Sequence, residues 1–346
     1  MHAETKTYDR SVTVRDLLKN TGIQECMDIP GVTEVVVNQP DEVLTESAKG
    51  WEIKNEPRAS FGKLMELANA LAIYNDDCIG QNEPIKSVTL PDGQRGQIVI
   101  PPATTAGTLS LTIRIPSTQR FSLDDYIKSG RLDCIKDVSE HLVCPEDVPL
   151  LDFEKEMLQM KADRDMDGFW KAAIKNKLNN AMVGGTGSGK TTFTKALADL
   201  VPRNTRIITI EDNHELDLPN HPNNKHLFYG RNGVTSKELI ASCMRMNPDR
   251  VFLTELRGDE AWDYLSLLNT GHPGSITSVH ANDCRSAFYR IGTLIKQSGV
   301  GQTLDFTYIM REVMTTIDVV AYFSRTYMTQ IYYDPVQKYL LQRGEK

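Results

Sequence analysis

Asn180–Ala198 reads NAMVGGTGSGKTTFTKALA: a short apolar run, a glycine-rich turn, and a stretch with helical spacing. The turn GGTGSGKT matches G-x-x-x-x-G-K-[ST] in the strand–loop–helix setting that the motif needs. Gly184, Gly185, Gly187 and Gly189 let successive backbone N–H groups close around an anion where side chains would obstruct it, and Thr186 and Ser188 complete the loop. Thr191 and Thr192 open a helix whose N-terminal dipole favours phosphate. Lys190 is placed to reach the β and γ phosphates, and the Thr191 hydroxyl to ligate Mg²⁺. The alternative is a glycine-rich turn that matches by chance, and it must explain the glycines, the lysine and the threonine all falling correctly between a strand and a helix.

Downstream of this loop, two apolar runs end in acids. Ile207–Asp212 (IITIED) ends in Glu211 and Asp212, and Val251–Glu255 (VFLTE) ends in Glu255 and resembles a Walker B strand. Carboxylates at the C-terminal ends of parallel strands are suited to Mg²⁺ and an attacking water. Either acid alone is equally well read as a solvated strand end. Then comes TGHPGSITSVHAN, Thr270–Asn282, with His272 in a glycine-rich turn and His280 after an apolar run. A histidine there would sense the γ-phosphate or touch a neighbouring subunit, or serve as a structural hydrogen-bonder.

The surrounding chain divides in two. Its 346 residues suggest about two domains at roughly 150 residues each. In the first, apolar runs at Val32–Val37, Ser87–Leu90, Gly96–Ile100 and Thr108–Ile115 read as strands of a mostly antiparallel sheet, and Ser60–Tyr74 reads as a helix capped by Ser60. Residues 1–133 are thus expected to form an α+β domain, residues 134–166 an acid-rich linker with some helix, and residues 167–346 a P-loop domain. That last part begins with an amphipathic helix at Phe169–Lys177. Its strands, at Ala181–Val183, Arg206–Ile210, Val251–Leu253, Ser275–Val279 and Val319–Phe323, alternate with helices, which implies a parallel-rich sheet covered on both faces.

Composition sets limits on function. Apolar residues at 40% and charged residues at 25% are ordinary for a soluble globular chain. A net charge of −7 argues against a general nucleic-acid surface, while leaving room for a local basic patch. The six cysteines form no C-x-x-C pair and no zinc spacing, so no metal cluster and no disulfide scaffold is expected, and a reducing cytoplasm fits. The N-terminal MHAETKTYDRS lacks the apolar run of a signal peptide, and no run approaches the ~20 apolar residues of a membrane span, so any membrane role is expected to be peripheral.

Taken in order, GGTGSGKTT (Gly184–Thr192), TIEDNHEL (Thr209–Leu216), RMNPDRVFLTELRGDEAWD (Arg245–Asp263) and TGHPGSITSVHAN resemble the traffic ATPases of type IV secretion systems, relatives of the type II secretion and type IV pilus ATPases. The resemblance runs nearly the whole chain, since SLTIRIPSTQRFSLDDY (Ser110–Tyr126) is similar to the segment closing that family's N-terminal domain. It implies a RecA-like ATPase domain behind a smaller N-terminal domain, with ATP and Mg²⁺ as cofactors. It further implies homohexameric rings on the cytoplasmic face of the inner membrane, working with other secretion ATPases and inner-membrane components. By the same resemblance Glu211 is the favoured water-activating acid with Asp212 and Glu215 beside it, Glu255 serves the Mg²⁺ shell, and His280 is a sensor. Arg114 matches an arginine turned toward the nucleotide, and Arg245 and Arg257 are candidates for phosphate charge or intersubunit contact. The reverse assignment of Glu211 and Glu255 stays open, because in many P-loop ATPases the Walker B acid is the base. Thr254 departs from the small residue usual at its position.

Other readings fit less of the chain. A GTPase switch would need N-K-x-D after the P-loop, and the closest string, Asn176–Asn179, lacks the Asp and precedes it. A small-molecule kinase leaves the acidic and histidine boxes unexplained. A DNA-translocating ATPase sits poorly with the acidic balance.

Overall fold

The computed structural model describes residues 9–115, 120–230 and 233–344. The chain divides into two compact units, Met1–Thr118 and Gln119–Lys346. Residues 1–8 of the N-terminal stretch, and residues 116–119 of the segment Ser110–Tyr126, lie outside the described residues.

The first unit holds helices α1 (Ser11–Asn20), α2 (Ile23–Met27) and α3 (Phe61–Tyr74). Its strands are β1 (Val32–Val37), β2 (Glu42–Ser47), β3 (Gly50–Asn55), β4 (Ile85–Thr89), β5 (Arg95–Val99) and β6 (Ser110–Arg114). They form one sheet in the order β3-β2-β1-β6-β5-β4, antiparallel at every pairing. Alternation sends Val35, Val37, Val43, Leu111 and Ile113 into a core shared with Leu64, Leu67 and Leu71 of α3. The expected strands and the α3 helix are present. Strands β2 and β3 were not expected, because EVLTES and GWEIKN carry too few apolar residues to stand out from turns.

In the second unit the strands are β7 (Lys136–Asp137), β8 (Asn180–Gly184), β9 (Ile207–Glu211), β10 (Asn224–Phe228), β11 (Arg250–Leu253), β12 (Ile276–Val279), β13 (Val319–Ser324) and β14 (Tyr327–Tyr333). Two ladders form, β10-β9-β11 and β12-β8-β13-β14-β7. They meet edge to edge, where Leu256 N–H donates to Ser278 O at 2.9 Å and Ser278 Oγ–H to Thr254 O at 2.7 Å. Every pairing is parallel except β13 with β14.

Buried strands point alternate residues to two cores. Met182, Ile207, Ala321 and Phe323 join Trp170 and Phe193 on one face, while Ala181, Val183, Ile208, Ile210 and Val320 join Ile291 and Val313 on the other. The first face is covered by α4 (Leu123–Lys128), α5 (Asp152–Ala162), α6 (Met166–Lys175) and α7 (Lys190–Ala198). The second is covered by α8 (Ser236–Cys243), α9 (Ala261–Asn269), α10 (Cys284–Gln297) and α11 (Phe306–Thr316), and α12 (Pro335–Gln342) ends the described chain.

Two expectations change. The division falls at 118/119 rather than 133/134, and the stretch 134–166 is no linker, because Val148, Leu150, Met157 and Leu158 are buried in the second unit's core. Its acidic residues had masked apolar positions spaced for α5. The six cysteines are free thiols. Among the described residues no helix is long and apolar enough to cross a membrane.

Candidate active site

The phosphate loop is shaped by positions that tolerate only glycine. Gly184 has φ 146°, and a Cβ there would lie 2.4 Å from Phe323 O. Gly189, at φ 91°, caps α7 without a side chain, so the helix's first amides face the loop. Ser188 Oγ–H donates to Gly185 O at 2.8 Å, closing the turn, while Gly185, Thr186 and Gly187 stay exposed. Lys190 is buried, its Nζ donating to Gly184 O at 2.8 Å and Gly185 O at 2.7 Å, which holds the ammonium at the loop's mouth. Thr191 Oγ1–H donates to Glu215 Oε2 at 3.3 Å, and Thr192 follows in the same turn.

Glu255, just past β11, is where the separate boxes converge. His280 Nε2 lies 3.3 Å from its Oε1, and Arg257 Nη2 lies 2.7 Å from its Oε2. Arg257 also reaches Asp212 Oδ2 at 2.9 Å, tying the acidic box to the Walker B end. Burial pushes the Glu255 carboxyl up, but the bond from Arg257 and the charges of Arg257 and Lys190 hold it below the ordinary value. His280 moves the other way from Glu255's pull, since burial and the Lys190 charge lower its pKa. Glu260 accepts from the backbone N–H groups of Arg257 at 2.9 Å and Gly258 at 3.1 Å, fixing the turn that aims Arg257. Thr254 is accommodated by donating to Ile210 O at 3.2 Å.

Glu211 lies farther from the P-loop than Glu255 does in the strand order. In the strand order β9-β11 and β12-β8, its strand is not beside the P-loop strand, because β11 and β12 lie between them. The carboxylate is fully buried. Its Oε2 accepts from Glu215 and Leu216 N–H at 2.9 Å each, and its Oε1 accepts from Thr209 Oγ1 at 2.7 Å. Desolvation raises its pKa, yet His214, His226, Leu216 N–H and Thr209 outweigh that and hold it down at about 2. Two further candidate residues of this unit lie apart from the cluster. Arg245 is exposed on the turn after α8, with no ion-pair partner among the described residues. His272 bonds Pro248 O at 3.1 Å. Arg114 ends β6 in the first unit, in register with Glu34 and Arg95.

Five residues that the sequence does not single out also make contacts around these elements. Arg120 grips Asp199 at the end of α7 with 2.7 and 2.6 Å bonds and reaches Asp217 O at 3.1 Å. His226 meets Glu211 because β10 pairs parallel with β9, and His214 reaches it from three residues along the chain. At the β13–β14 turn, Thr326 lies beside Gly189, and Arg131 stacks between Phe121 and Tyr327.

A phosphate loop at the end of a parallel strand, with a lysine, a threonine, a carboxylate and a histidine around its mouth, defines a nucleotide-hydrolysing P-loop protein. Residues 142–322 match the family described as Type II/IV secretion system protein. The type IV secretion system protein VirB11 of Brucella suis is 39% identical over 336 residues, covering 92% of this chain and 91% of that one. The crystal structure of the VirB11 ATPase from Brucella suis in complex with sulphate matches with a TM-score of 0.53, over 94% of this chain and 99% of that chain. The pilus retraction motor PilT with bound ADP shares the fold at 14% identity, with a TM-score of 0.58 over 95% of this chain and 86% of that chain. The chain belongs to the type II/IV secretion family, as a type IV secretion traffic ATPase.

Proposed function

We propose that this ATPase is a RecA-like motor that assembles as a homohexameric ring on the cytoplasmic face of the inner membrane. It hydrolyses ATP to drive substrate transfer and pilus assembly alongside other secretion ATPases and inner-membrane components. The observation that supports this best is the meeting of Lys190, Glu255, His280 and Arg257 from separate boxes at one loop mouth. The hard oxygen donors there, Thr191 Oγ1 and the Glu255 carboxylate with Asp212 and Glu215 nearby, suit Mg²⁺. Bound at Thr191 and Glu255, Mg²⁺ would neutralise charge on the β and γ phosphates.

This chain's own groups supply the rest. Gly184–Thr192 binds the phosphates, and Lys190 offsets negative charge that grows as the β–γ bridging bond breaks. Glu255 takes the proton of the water that attacks the γ-phosphorus. It is assigned this role rather than Glu211, whose carboxylate is fully buried and tied to its own loop and strand, while that of Glu255 is 19% exposed. Glu211 instead fixes the loop that carries Asp212 and Glu215. His280, kept neutral, orients Glu255 and reports on the γ-phosphate. Arg257 and the exposed Arg245 are available for phosphate charge or a neighbouring subunit.

The test measures ATPase rate and particle mass together, with and without ATP and Mg²⁺. Turnover by particles of six-chain mass is expected; full turnover by a strictly monomeric particle at micromolar concentration would remove the ring from the proposal.

A further inference from the structure

We propose that Glu211, His214 and His226 form a binding site for a transition-metal ion, with Zn²⁺ the best match, that braces the acidic loop. Glu211 Oε1 lies 3.2 Å from His226 Nδ1 and 3.6 Å from His214 Nδ1, and the three ligand atoms all fall within 4.8 Å of one another. Tetrahedral zinc with bonds of about 2.0–2.1 Å sets its ligand atoms roughly 3.3 Å apart, close to the two distances from Glu211 Oε1. Two imidazoles with one carboxylate select zinc or a similar borderline ion over Mg²⁺, which prefers oxygen alone.

The supporting groups are those a metal site needs. Glu211 Oε2 is tied to the backbone at residues 215 and 216, so the carboxylate presents Oε1 in a fixed direction. His226 comes from a neighbouring strand in parallel register, opposite Thr209, and its ring packs 4.4 Å from that of His214. The His214 side chain is 47% exposed, which leaves an entry path and room for water as a fourth ligand.

Thr209 Oγ1 lies 2.7 Å from both Glu211 Oε1 and His226 Nδ1. Its single proton goes to the carboxylate, so His226 Nδ1 must carry a proton toward the threonine oxygen. Metal binding displaces that proton, to Nε2 or to solvent. The ion would join β9, β10 and the loop from Asp212 to Leu216. Through Glu215 and Asp212 that loop touches Thr191 and Arg257, so occupancy stiffens one wall of the phosphate site. The binding itself does not depend on the proposed ring or on ATP.

The test is calorimetric titration of the chelator-stripped full chain with zinc chloride. One ion per chain is expected, with His214→Ala and His226→Ala each weakening binding more than about a hundredfold, beyond the roughly 10–100-fold loss of a merely supporting residue. Lys190→Ala should keep zinc affinity while losing nucleotide, which separates this site from the phosphate loop. X-ray absorption at the zinc edge of the wild-type protein should report two imidazoles, oxygen and no sulfur, and needs no variant to fold. Absence of stoichiometric binding, wild-type affinity in both histidine variants, or sulfur in the zinc shell would each overturn the proposal.

Discussion

His280 Nε2 stands 3.3 Å from Glu255 Oε1 while Arg257 Nη2 takes the other oxygen of that carboxylate at 2.7 Å. The carboxylate is thereby held from both sides, by a group that stays neutral and one that stays charged. If His280 orients Glu255, His280→Ala should lower kcat roughly tenfold, about 1.4 kcal/mol of transition-state stabilisation, with little change in nucleotide affinity. Steady-state kinetics paired with equilibrium nucleotide binding measures both; a loss confined to binding would make His280 a nucleotide contact instead.

Lys190→Ala should abolish hydrolysis and weaken nucleotide binding, because its charge opposes the β and γ phosphates in ground and transition states. The fold should survive, since the amine's bonds to Gly184 O and Gly185 O stay within the loop itself. Wild-type turnover in this variant would exclude the loop from the chemistry.

Much of this site was legible because the P-loop, Glu255, Arg257 and His280 each follow a short apolar strand, and a parallel sheet gathers the C-terminal ends of such strands at one edge. What the sequence could not display was lateral order. Glu211 and Glu255 read alike as strand-end acids, yet β9 lies farther from the P-loop strand than β11 does, and only pairing with β10 brings His226 to Glu211. The linker expectation failed for a related reason. Burial of Lys161, bonded to Asp137 at 2.9 Å and Tyr333 O at 2.7 Å, makes part of a charged segment interior.

The first unit offers a stability prediction. Glu56 is buried, and Arg58 and Lys54 bind its carboxylate at 2.7 and 2.9 Å, drawing its pKa from 4.5 down to about 2. A depressed carboxyl pKa contributes stability above the unfolded value, which is lost as pH falls from about 4.5 toward 2. Glu56→Gln should therefore cost about 1–2 kcal/mol at pH 7, discounted because both partners are about half exposed. Denaturant melts of both proteins across acidic pH should converge as pH drops through that window; a constant gap would assign the loss to packing.

The two acids separate most sharply under Mg²⁺. Glu255 faces Lys190's charge and His280, so Glu255→Gln should bind ATP nearly normally, lose roughly 10²-fold or more in kcat, and shift the Mg²⁺ dependence. Glu211→Gln acts through structure, since an amide in place of one carboxylate oxygen turns a donor toward the N–H groups of Glu215 and Leu216 or toward Thr209. Leaving such buried groups mismatched costs about 1–3 kcal/mol, so this variant should melt earlier while the residual folded enzyme keeps its Mg²⁺ optimum. Rate against Mg²⁺ concentration for both variants, each normalised to its folded fraction, decides between them. A 10²-fold kcat loss with an unchanged melt in Glu211→Gln would return the base to Glu211, and the geometry around Glu255 would then have to serve the metal alone.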